Sequence, residues 1–501
     1  MDVISALLYG FSIALQPWNL LSCFFGVLIG TLVGVLPGIG PVGAMSLLLP
    51  VTFGISPVTG IIMLAGIYYG AMYGGSTTSI LVNIPGEAVS VVTCIDGHQM
   101  ALQGRAGPAL GISAFGSFIA GTFGVVGLIF LSNLLADVAI LFGPAEYFSL
   151  MCLGMCLVTY LTQGSILKAL ALAGLGLFLS LIGQDVITGQ VRFTFGLTGL
   201  IDGVGLVPFV IGLFGISEVL INLESLHEKH KVMKTRFRNL FPTKRDWQKS
   251  AVPIGRGTLI GFFLGILPGG GGIIASFVSY AVEKKFAKHP ENFGKGAIEG
   301  VAAPESANNA ASSSGFIPLF SLGIPSNVVM AMLFGAFMIH GLRPGPLFIT
   351  ENPEIFWGTV ASMYVGNAML LVLNLPLIGV WVQILKVPYR TLFPLILLFC
   401  FIGTYSVSAN IFDLCVMLIF GFLGYFLRKL DYELAPMVLA FVLGPMLEGN
   451  LRQALILSEG SLTVFLTRPL SVAPLFISLF LLLSAALPFL RRRKSSIIPD
   501  L

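Results

Sequence analysis

Charged side chains are scarce in this chain. Asp, Glu, Lys and Arg together make up 10% of its 501 residues, whereas 56% of the residues are hydrophobic. A soluble domain of ordinary composition carries about 25% charged residues, so this chain has too few to cover a globular surface in water. The composition therefore argues against a soluble protein and predicts an all-α integral membrane protein that is solvated by lipid.

Signatures of catalysis and of resident metals are also missing. The chain has five histidines and six cysteines, and it contains no HExxH pair, no Walker loop and no GxSxG nucleophile elbow. The cysteines are scattered through apolar stretches, so we expect them to pack in the core and not to form disulfides or bind metal. We therefore expect no enzyme, no resident metal or cofactor and no ATP-driven pump on this chain. The net charge of +4 does not indicate nucleic-acid binding, because the basic residues lie beside apolar runs.

Positive charge is absent from the start of the chain and concentrated in its middle. No Lys or Arg precedes Arg105, whereas nine of the 27 lie between Lys229 and Arg256. The positive-inside rule predicts a cytoplasmic linker at 225–256, a cytoplasmic tail at 491–501 and a periplasmic N-terminus. The linker divides a first membrane repeat, 1–224, from a second, 257–490. The N-terminal residues also lack the positive region of a cleavable signal peptide.

Apolar runs that approach or reach the length needed to cross a bilayer recur along the chain. A bilayer core is crossed by about 20 apolar residues in a helix, and we expect about ten to twelve such spans together with re-entrant hairpins. The clearest runs are Ala114–Leu134, Ala169–Ile182, Val204–Ile221, Thr359–Ile384, Ile411–Leu427 and Val472–Leu490.

One glycine-striped sequence occurs twice in the chain. Residues Gly26–Gly40 read GVLIGTLVGVLPGIG and residues Gly257–Gly271 read GTLIGFFLGILPGGG, with nine of fifteen positions identical. Glycine at every fourth residue forms a smooth helix face for close packing. Proline removes a backbone donor and glycine permits positive φ, so each helix should end at its Pro-Gly and leave free backbone groups.

The similarity continues beyond the stripes. NIPG at Asn83–Gly86 corresponds to GIPS at Gly323–Ser326, and RAGP at Arg105–Pro108 corresponds to RPGP at Arg343–Pro346. The second stripe begins beside the basic linker, whereas the first has no positive flank. This difference predicts two hairpins that enter from opposite faces, which is the mark of an inverted-topology repeat.

Polar residues cluster at matching places in both halves. YGGSTTSILVNIPGE has a run of four Ser and Thr residues at 76–79 before its Ile-Pro step, and APESANNAASSSGFIPLFSLGIPSN has the amides Asn308 and Asn309 and a run of three serines at 312–314 before Ile-Pro-Ser. Hydroxyl and amide groups donate to carboxylates and coordinate Na⁺ through oxygen. The alternative is that these residues only join transmembrane helices. We predict that hairpin tips (Pro37–Gly40, Pro268–Gly271) and broken helices (Ser76–Gly86, Asn308–Ser326) meet in one central site.

The residues expected in that site fall into two groups. Those expected to bind substrate are Gly38, Gly40, Ser76, Thr77, Thr78, Ser79, Asn83, Pro85, Gly86, Gly269, Gly271, Pro325, Ser326 and Asn327. Those expected to bind a cation are Ser76, Ser79, Glu305, Asn308, Asn309, Ser312, Ser313 and Ser314.

Glu305 is the acid that stands out. An ionisable side chain at membrane depth is costly, so Glu305 is a candidate cation ligand or proton carrier. The alternative is an acid at the start of a helix, at the cytoplasmic mouth. Glu87 and Asp413 are weaker candidates of the same kind.

Several of these segments together resemble a known family. VLPGIGPVGAMSLLLP, YGGSTTSILVNIPGEA, DGHQMALQGRAGPAL, GVAAPESANNAASSSGFIPL and FVLGPMLEGNLRQAL look like the large membrane subunit of bacterial tripartite tricarboxylate transporters, the TctA type. The resemblance runs from about Leu20 to Leu490. It implies a protein of the bacterial inner membrane, a small four-helix TctB-type partner and a periplasmic TctC-type solute-binding protein. It further implies secondary uptake of citrate or other carboxylates, usually coupled to Na⁺.

This chain departs from the citrate-type members at two places. They carry GGRISSILLNVPGD where this chain has GGSTTS at Gly74–Ser79, and Pro-Gly-Ser where it has Pro325-Ser326-Asn327. The loss of an arginine from the expected site predicts a smaller or less charged carboxylate.

The combined interpretation is a secondary transporter that works by alternating access, and analogy with other hairpin-bearing transporters favours an elevator. Two alternatives stay open at this point, a passive channel for organic anions and coupling to H⁺ instead of Na⁺, whereas the sequence shows no groups for an intramembrane enzyme. A channel requires a continuous polar path and an enzyme requires an acid–base pair or metal ligands at depth.

Overall fold

The computed structural model describes residues 2–36, 40–161, 165–185, 187–224, 240–269, 271–385, 387 and 389–495. It is 80% helical and has one pair of very short strands, which confirms the all-α fold class. The tip residues Pro37 and Gly38, the linker residues 225–239 and the tail residues 496–501 lie outside the described residues.

The chain divides into two compact units. The first comprises Met1–Ala136, Leu206–Ile266 and Gly270–Phe426, and the second comprises Asp137–Gly205, Leu267–Gly269 and Leu427–Leu501.

The helices of the first unit are α1 (Val3–Ala14), α2 (Pro17–Val35), α3 (Gly40–Leu48), α4 (Pro57–Val82), α5 (Val91–Leu102), α6 (Ala106–Ala139, whose last three residues belong to the second unit), α9 (Leu206–Val210), α10 (Ser217–Glu224), α11 (Lys244–Ile266), α12 (Gly271–Phe286), α13 (Glu299–Ser314), α14 (Phe316–Leu322), α15 (Val328–Ile339), α16 (Phe348–Glu351), α17 (Pro353–Asn374), α18 (Ile378–Ile384), α19 (Tyr389–Ser408) and α20 (Ile411–Lys429, which passes into the second unit after Phe426). Short 3₁₀ turns at Leu49–Gly54, Ala88–Ser90 and Pro290–Asn292 and a π segment at Ile211–Ile216 complete it.

The second unit contains α7 (Pro144–Leu161), α8 (Ile166–Ser180), α21 (Ala435–Leu457), α22 (Val464–Thr467) and α23 (Pro469–Ser495). An antiparallel pair, β1 (Gly183–Gln184) with β2 (Val191–Arg192), and a 3₁₀ turn at Thr198–Leu200 follow α8. An ion-pair network ties this hairpin to α21, because Arg452 lies 2.7 Å from Asp185 and Arg192 lies 2.7 Å from Glu448.

Eight helices among the described residues are long and apolar enough to cross a membrane, and five shorter apolar helices accompany them. They include the predicted runs at Ala114–Leu134, Val204–Ile221 and Ile411–Leu427. The single span predicted at Thr359–Ile384 is wrong: α17 ends at Asn374 and α18 begins at Ile378. Pro376 lies between them, and proline lacks the backbone N–H that would continue the helix. The expected total of ten to twelve spans stays a prediction.

In the first half, the glycine stripe of α2 packs directly on α4. A Cβ atom added to Gly26 or Gly30 would collide with the carbonyl group of Met63 or Ile67, and one added to Gly34 would collide with that of Ala71. Helix α4 is buried over nearly its whole length. Glycine is needed here because any side chain would separate the two backbones.

In the second half, α11 packs on α13 in the same way. A Cβ atom on Gly257 would lie 3.0 Å from the Cα atom of Ala303, and one on Gly261 would lie 2.6 Å from that of Ala307. The residues contacted in the two halves, Met63 and Ala303 or Ile67 and Ala307, are 240 positions apart. The repeat that the sequence predicts is therefore reproduced in the packing. The opposite orientation of its halves and the boundaries 1–224 and 257–490 stay predictions.

Candidate transport site

Both halves carry a helix break of the same construction. Helix α4 ends at Asn83 with φ +61°, and α14 ends at Gly323 with φ +70°. An Ile-Pro step follows each, and then an extended residue caps the next segment: Glu87 with φ −150° and Asn327 with φ −154°. The predicted breaks are confirmed. They arise because a left-handed residue ends the helix and the proline that follows lacks the N–H to continue it.

The hydroxyl residues of the first cluster point into the helix packing. Thr78 donates to the carbonyl of Val35 at 2.6 Å, and Ser79 lies 3.0 Å from the carbonyls of Gly75 and Ser90. Thr77 is 2% exposed, whereas Asn83 is exposed at the break itself, with Pro85 partly buried beside it. These bonds use the hydroxyl hydrogens but leave oxygen lone pairs available to a ligand.

The polar residues of the second cluster lie on α13. Ser312 donates to the carbonyl of Asn308 at 2.9 Å, and Asn309 donates to the Ser117 hydroxyl at 2.7 Å. Ser313 and Ser314 donate to carbonyls within the helix. At the following break Ser326 donates to the Gly315 carbonyl at 3.4 Å, and Pro325 is buried. Most of these bonds are within α13, and the Asn309–Ser117 bond joins α13 to α6.

Glu305 is in the interior of α13, six residues past its start at Glu299, and it is 1% exposed. One carboxylate oxygen accepts the hydroxyl of Ser76 and the other accepts that of Thr93. An acid held this way is not a helix-start residue at a solvent-filled mouth, so the structure favours the buried alternative. The contact also brings the two predicted polar clusters together, because Ser76 belongs to α4.

A second acid, Glu87, lies in the same region. Its side chain accepts the backbone N–H of Ser90 in a capping box, but its Oε1 atom is buried without a hydrogen-bond partner. The side-chain nitrogen and oxygen of Asn308 are also buried without partners. The Asn308 side chain lies beside the Glu87 carboxyl group, close to but outside strict hydrogen-bond geometry. On sequence alone Glu87 was the weaker candidate of the two, as an acid at membrane depth.

The second limb of each hairpin begins near residues that follow a helix break. Helix α12 starts at Gly271; a Cβ atom there would lie 3.9 Å from that of Asn327, and one on Gly272 would lie 2.9 Å from Asn308 Oδ1. In the same way α3, which starts at Gly40, packs against α15. Unpaired N–H groups give the start of a helix partial positive charge, so α12 directs positive potential at this region.

Two of the predicted glycines have close packing contacts of their own, and their part in substrate binding stays a prediction. Gly269 belongs to the second unit, where its φ is +77° and an added Cβ atom would lie 2.5 Å from Val158 Cα. Gly86 packs against Gly34 and Gly75, where a side chain would not fit, and it therefore shapes the break. Sequence reasoning missed Tyr73, Thr93 and Asn367: Tyr73 donates to Asn367 at 2.6 Å, and Thr93 binds Glu305.

Comparison with known proteins agrees with this architecture. Residues 20–439 match the tripartite tricarboxylate transporter TctA family. The whole chain is 51% identical to an uncharacterized 52.8 kDa protein in the TAR-I ttuC′ 3′ region of Agrobacterium vitis, over 99% of that protein. A protein in the TAR-II ttuC′ 3′ region of the same organism is 52% identical over 48% of this chain and 99% of its own length.

An uncharacterized protein of Methanocaldococcus jannaschii is 25% identical over 43% of this chain and 51% of its own length. No solved structure matches the chain. The family match covers most of the chain and includes both helix breaks, the glycine stripes and the two buried acids. The chain is therefore a multi-pass membrane protein that belongs to the tripartite tricarboxylate transporter TctA family.

Proposed function

We propose that this TctA-family transporter subunit takes up small carboxylates of the di- or tricarboxylate class, driven by a Na⁺ gradient. One observation carries the proposal: two matching helix breaks, the start of α12 and two buried acids lie together in one compact unit. Discontinuous helices whose ends face a buried polar centre are the usual way in which transporters of this kind bind anions and cations.

The anionic substrate is held mainly by backbone groups in this proposal. No Lys or Arg occurs in Ser76–Gly86 or in Asn308–Ser326. The N–H groups at the start of α12 supply partial positive charge and free donors. A site with these donors and no arginine suits a smaller or less charged carboxylate than citrate, because each additional buried negative charge costs several kcal/mol when it is unpaired.

A co-bound cation completes the charge balance. The site already holds two acids, and hydroxyl, amide and carbonyl oxygens are the ligands that Na⁺ takes. Substrate and cation then stabilise each other, and by linkage each tightens the binding of the other by the same factor. We propose that the compact unit with both breaks carries substrate and cation during alternating access, as in an elevator.

The partners follow from the family. We propose that the chain assembles in the bacterial inner membrane with a small four-helix TctB-type subunit and receives substrate from a periplasmic TctC-type protein. The N-terminus is then periplasmic, and the 225–256 linker and the C-terminal tail are cytoplasmic.

The test is uptake into proteoliposomes that contain both membrane subunits, with the substrate-loaded binding protein outside. We expect accumulation above the external concentration when Na⁺ is higher outside, and none when choline replaces Na⁺. A panel of carboxylates bound to the periplasmic protein identifies the cargo, because that protein selects it.

The alternatives give different outcomes in the same assay. A passive channel equilibrates the anion but never accumulates it. Uptake that is driven by a proton gradient alone, at full rate in Na⁺-free buffer, contradicts Na⁺ coupling and makes the buried acids proton carriers.

A further inference from the structure

The sequences of the two helix breaks can be aligned residue by residue without a gap. An offset of 240 residues relates Asn83 to Gly323 and Glu87 to Asn327, and it also relates Tyr68 of α4 to Asn308 of α13. The same offset relates the residues on which the glycine stripes pack. Each half therefore contributes one residue on a helix, Tyr68 or Asn308, and one residue that caps the segment after the break, Glu87 or Asn327. These residues occupy equivalent positions in the two halves.

In each case the capping residue of one half faces the helix position of the other. Asn327 Nδ2 donates to the Tyr68 hydroxyl at 3.3 Å, and Asn327 Oδ1 accepts the N–H of Met330 at 3.0 Å. This pair is neutral, and both polar ends of the Asn327 side chain have partners. It requires no ligand to complete it.

The equivalent pair, Glu87 with Asn308, contains an acid, and its hydrogen bonding is not complete. Glu87 is 9% exposed and Asn308 is 1% exposed, and Glu87 Oε1 and both amide atoms of Asn308 lack hydrogen-bond partners. A buried polar group without a partner is strongly unfavourable, and a buried charge is more so. Among the described residues no Lys or Arg forms an ion pair with Glu87. This pair therefore lacks a positively charged partner.

The other acid of the region does not have the same need. Both oxygens of Glu305 accept hydroxyl hydrogens, from Ser76 and Thr93. Glu87 and Glu305 interact electrostatically, and each negative charge raises the cost of the other. Glu87 is the acid with a free oxygen, so a cation would bind there. It would lower the electrostatic repulsion between the two carboxylates.

We propose that Glu87 Oε1 and Asn308 Oδ1 are two ligands of the transported Na⁺. Both are hard oxygen donors, which Na⁺ requires, and the missing side chain of Gly272 keeps the space beside Asn308 Oδ1 open. This inference rests on the proposed function and specifies the origin of its coupling. Without Na⁺ the charge of Glu87 repels a carboxylate that approaches the start of α12. With Na⁺ bound, that charge is neutralised and the substrate is accepted.

The test measures Na⁺ binding by the purified full-length chain in detergent. A ligand that binds only the folded state raises the thermal midpoint as its concentration rises. We expect NaCl to raise the Tm relative to choline chloride at constant ionic strength. Glu87→Gln should abolish this Na⁺-specific rise, and Asn308→Ala should move its half-maximal concentration upwards by about tenfold, the effect of one lost ligand.

Glu146→Gln is the matched control. Glu146 is also a buried acid near the start of a helix, 4% exposed, but it is in the second unit and pairs with Arg468. It should keep the wild-type Na⁺ response. If Glu87→Gln is not monodisperse on size exclusion, Asn308→Ala alone decides the question.

Two results overturn the inference. One is a wild-type Na⁺ response in both Glu87→Gln and Asn308→Ala. The other is its loss in Glu305→Gln alone, which assigns the ion to Glu305. If the wild-type chain shows no Na⁺ response while uptake by the reconstituted system needs Na⁺, this site is wrong and the proposed function stands. If uptake itself is independent of Na⁺, the proposed coupling fails with it.

Discussion

Replacing Gly261 with alanine should loosen the packing of α11 on α13. The added Cβ atom would lie 2.6 Å from the Cα atom and 2.7 Å from the carbonyl carbon of Ala307. Non-bonded carbon atoms prefer about 3.5–4.0 Å, so the helices must separate by about 1 Å. A gap of that size forfeits roughly a quarter to a half of each dispersion contact along the stripe. No flexible side chain is available to move instead, because the neighbour is backbone.

The magnitude follows from two opposing terms. Overpacking of this kind costs typically about 1–3 kcal/mol. Alanine recovers up to about 1 kcal/mol of helix propensity relative to glycine. Because the contact is with backbone we expect the high end of the first range, and a net destabilisation of roughly 1–2 kcal/mol. Gly255 is in the same helix but is exposed, and a Cβ atom there would meet nothing within 4 Å. Gly255→Ala should therefore be neutral or slightly stabilising.

The assay is thermal unfolding of both variants, purified in the same detergent and followed by intrinsic fluorescence and by retention of the monodisperse peak. We expect the Tm to fall for Gly261→Ala and to hold or rise for Gly255→Ala. Equal midpoints for the two variants would refute the argument, because they would show that the helices separate at no cost and that the stripe is not an obligatory close contact.

Three further predictions concern other parts of the chain. Lys244 is exposed at the start of α11, so the cysteine of a Lys244→Cys variant should react with a membrane-impermeant maleimide only from the cytoplasm. Labelling of intact spheroplasts from outside would contradict the predicted orientation. Asp96→Ala should destabilise the protein by about 3 kcal/mol, because Asp96 accepts backbone N–H groups of residues 294, 296 and 297 as well as the Tyr280 hydroxyl; Tyr280→Phe should cost only about 1 kcal/mol, and equal losses in chemical unfolding would contradict this order. The pKa of Asp185 is held well below its usual value of 3.8 by the backbone N–H groups of residues 188 and 187 and by the Arg452 guanidinium. The stability that ionised Asp185 contributes is therefore present above pH 3.8 and is lost as the pH falls towards the pKa of the folded state. Proteolysis of the 183–192 hairpin should accelerate only in that acid range, and a change already between pH 7 and pH 5 would contradict the assignment.

Much of the architecture was readable from single residues and their neighbours. The ends of α11 before Pro268 and of α4 and α14 before their Ile-Pro steps were predicted, because proline and left-handed residues restrict the backbone locally. The glycine stripes indicated close helix packing for a similar reason, since the absence of a side chain is a property of the residue itself. A buried acid in the second half was also predictable, because Glu305 is surrounded in sequence by small and apolar residues.

The partners of those residues were decided only by the tertiary structure. Nothing local to Thr93 indicates that it binds Glu305, and nothing local to Glu87 indicates that it faces Asn308, because each pair joins segments that are distant in sequence. The packing of Gly269 against Val158 was not predictable either, and its part in the central site stays a prediction. Local sequence sets where a helix stops, since that depends on backbone sterics. Which side chains remain without partners depends on how all the helices pack, and only folding of the whole chain determines that.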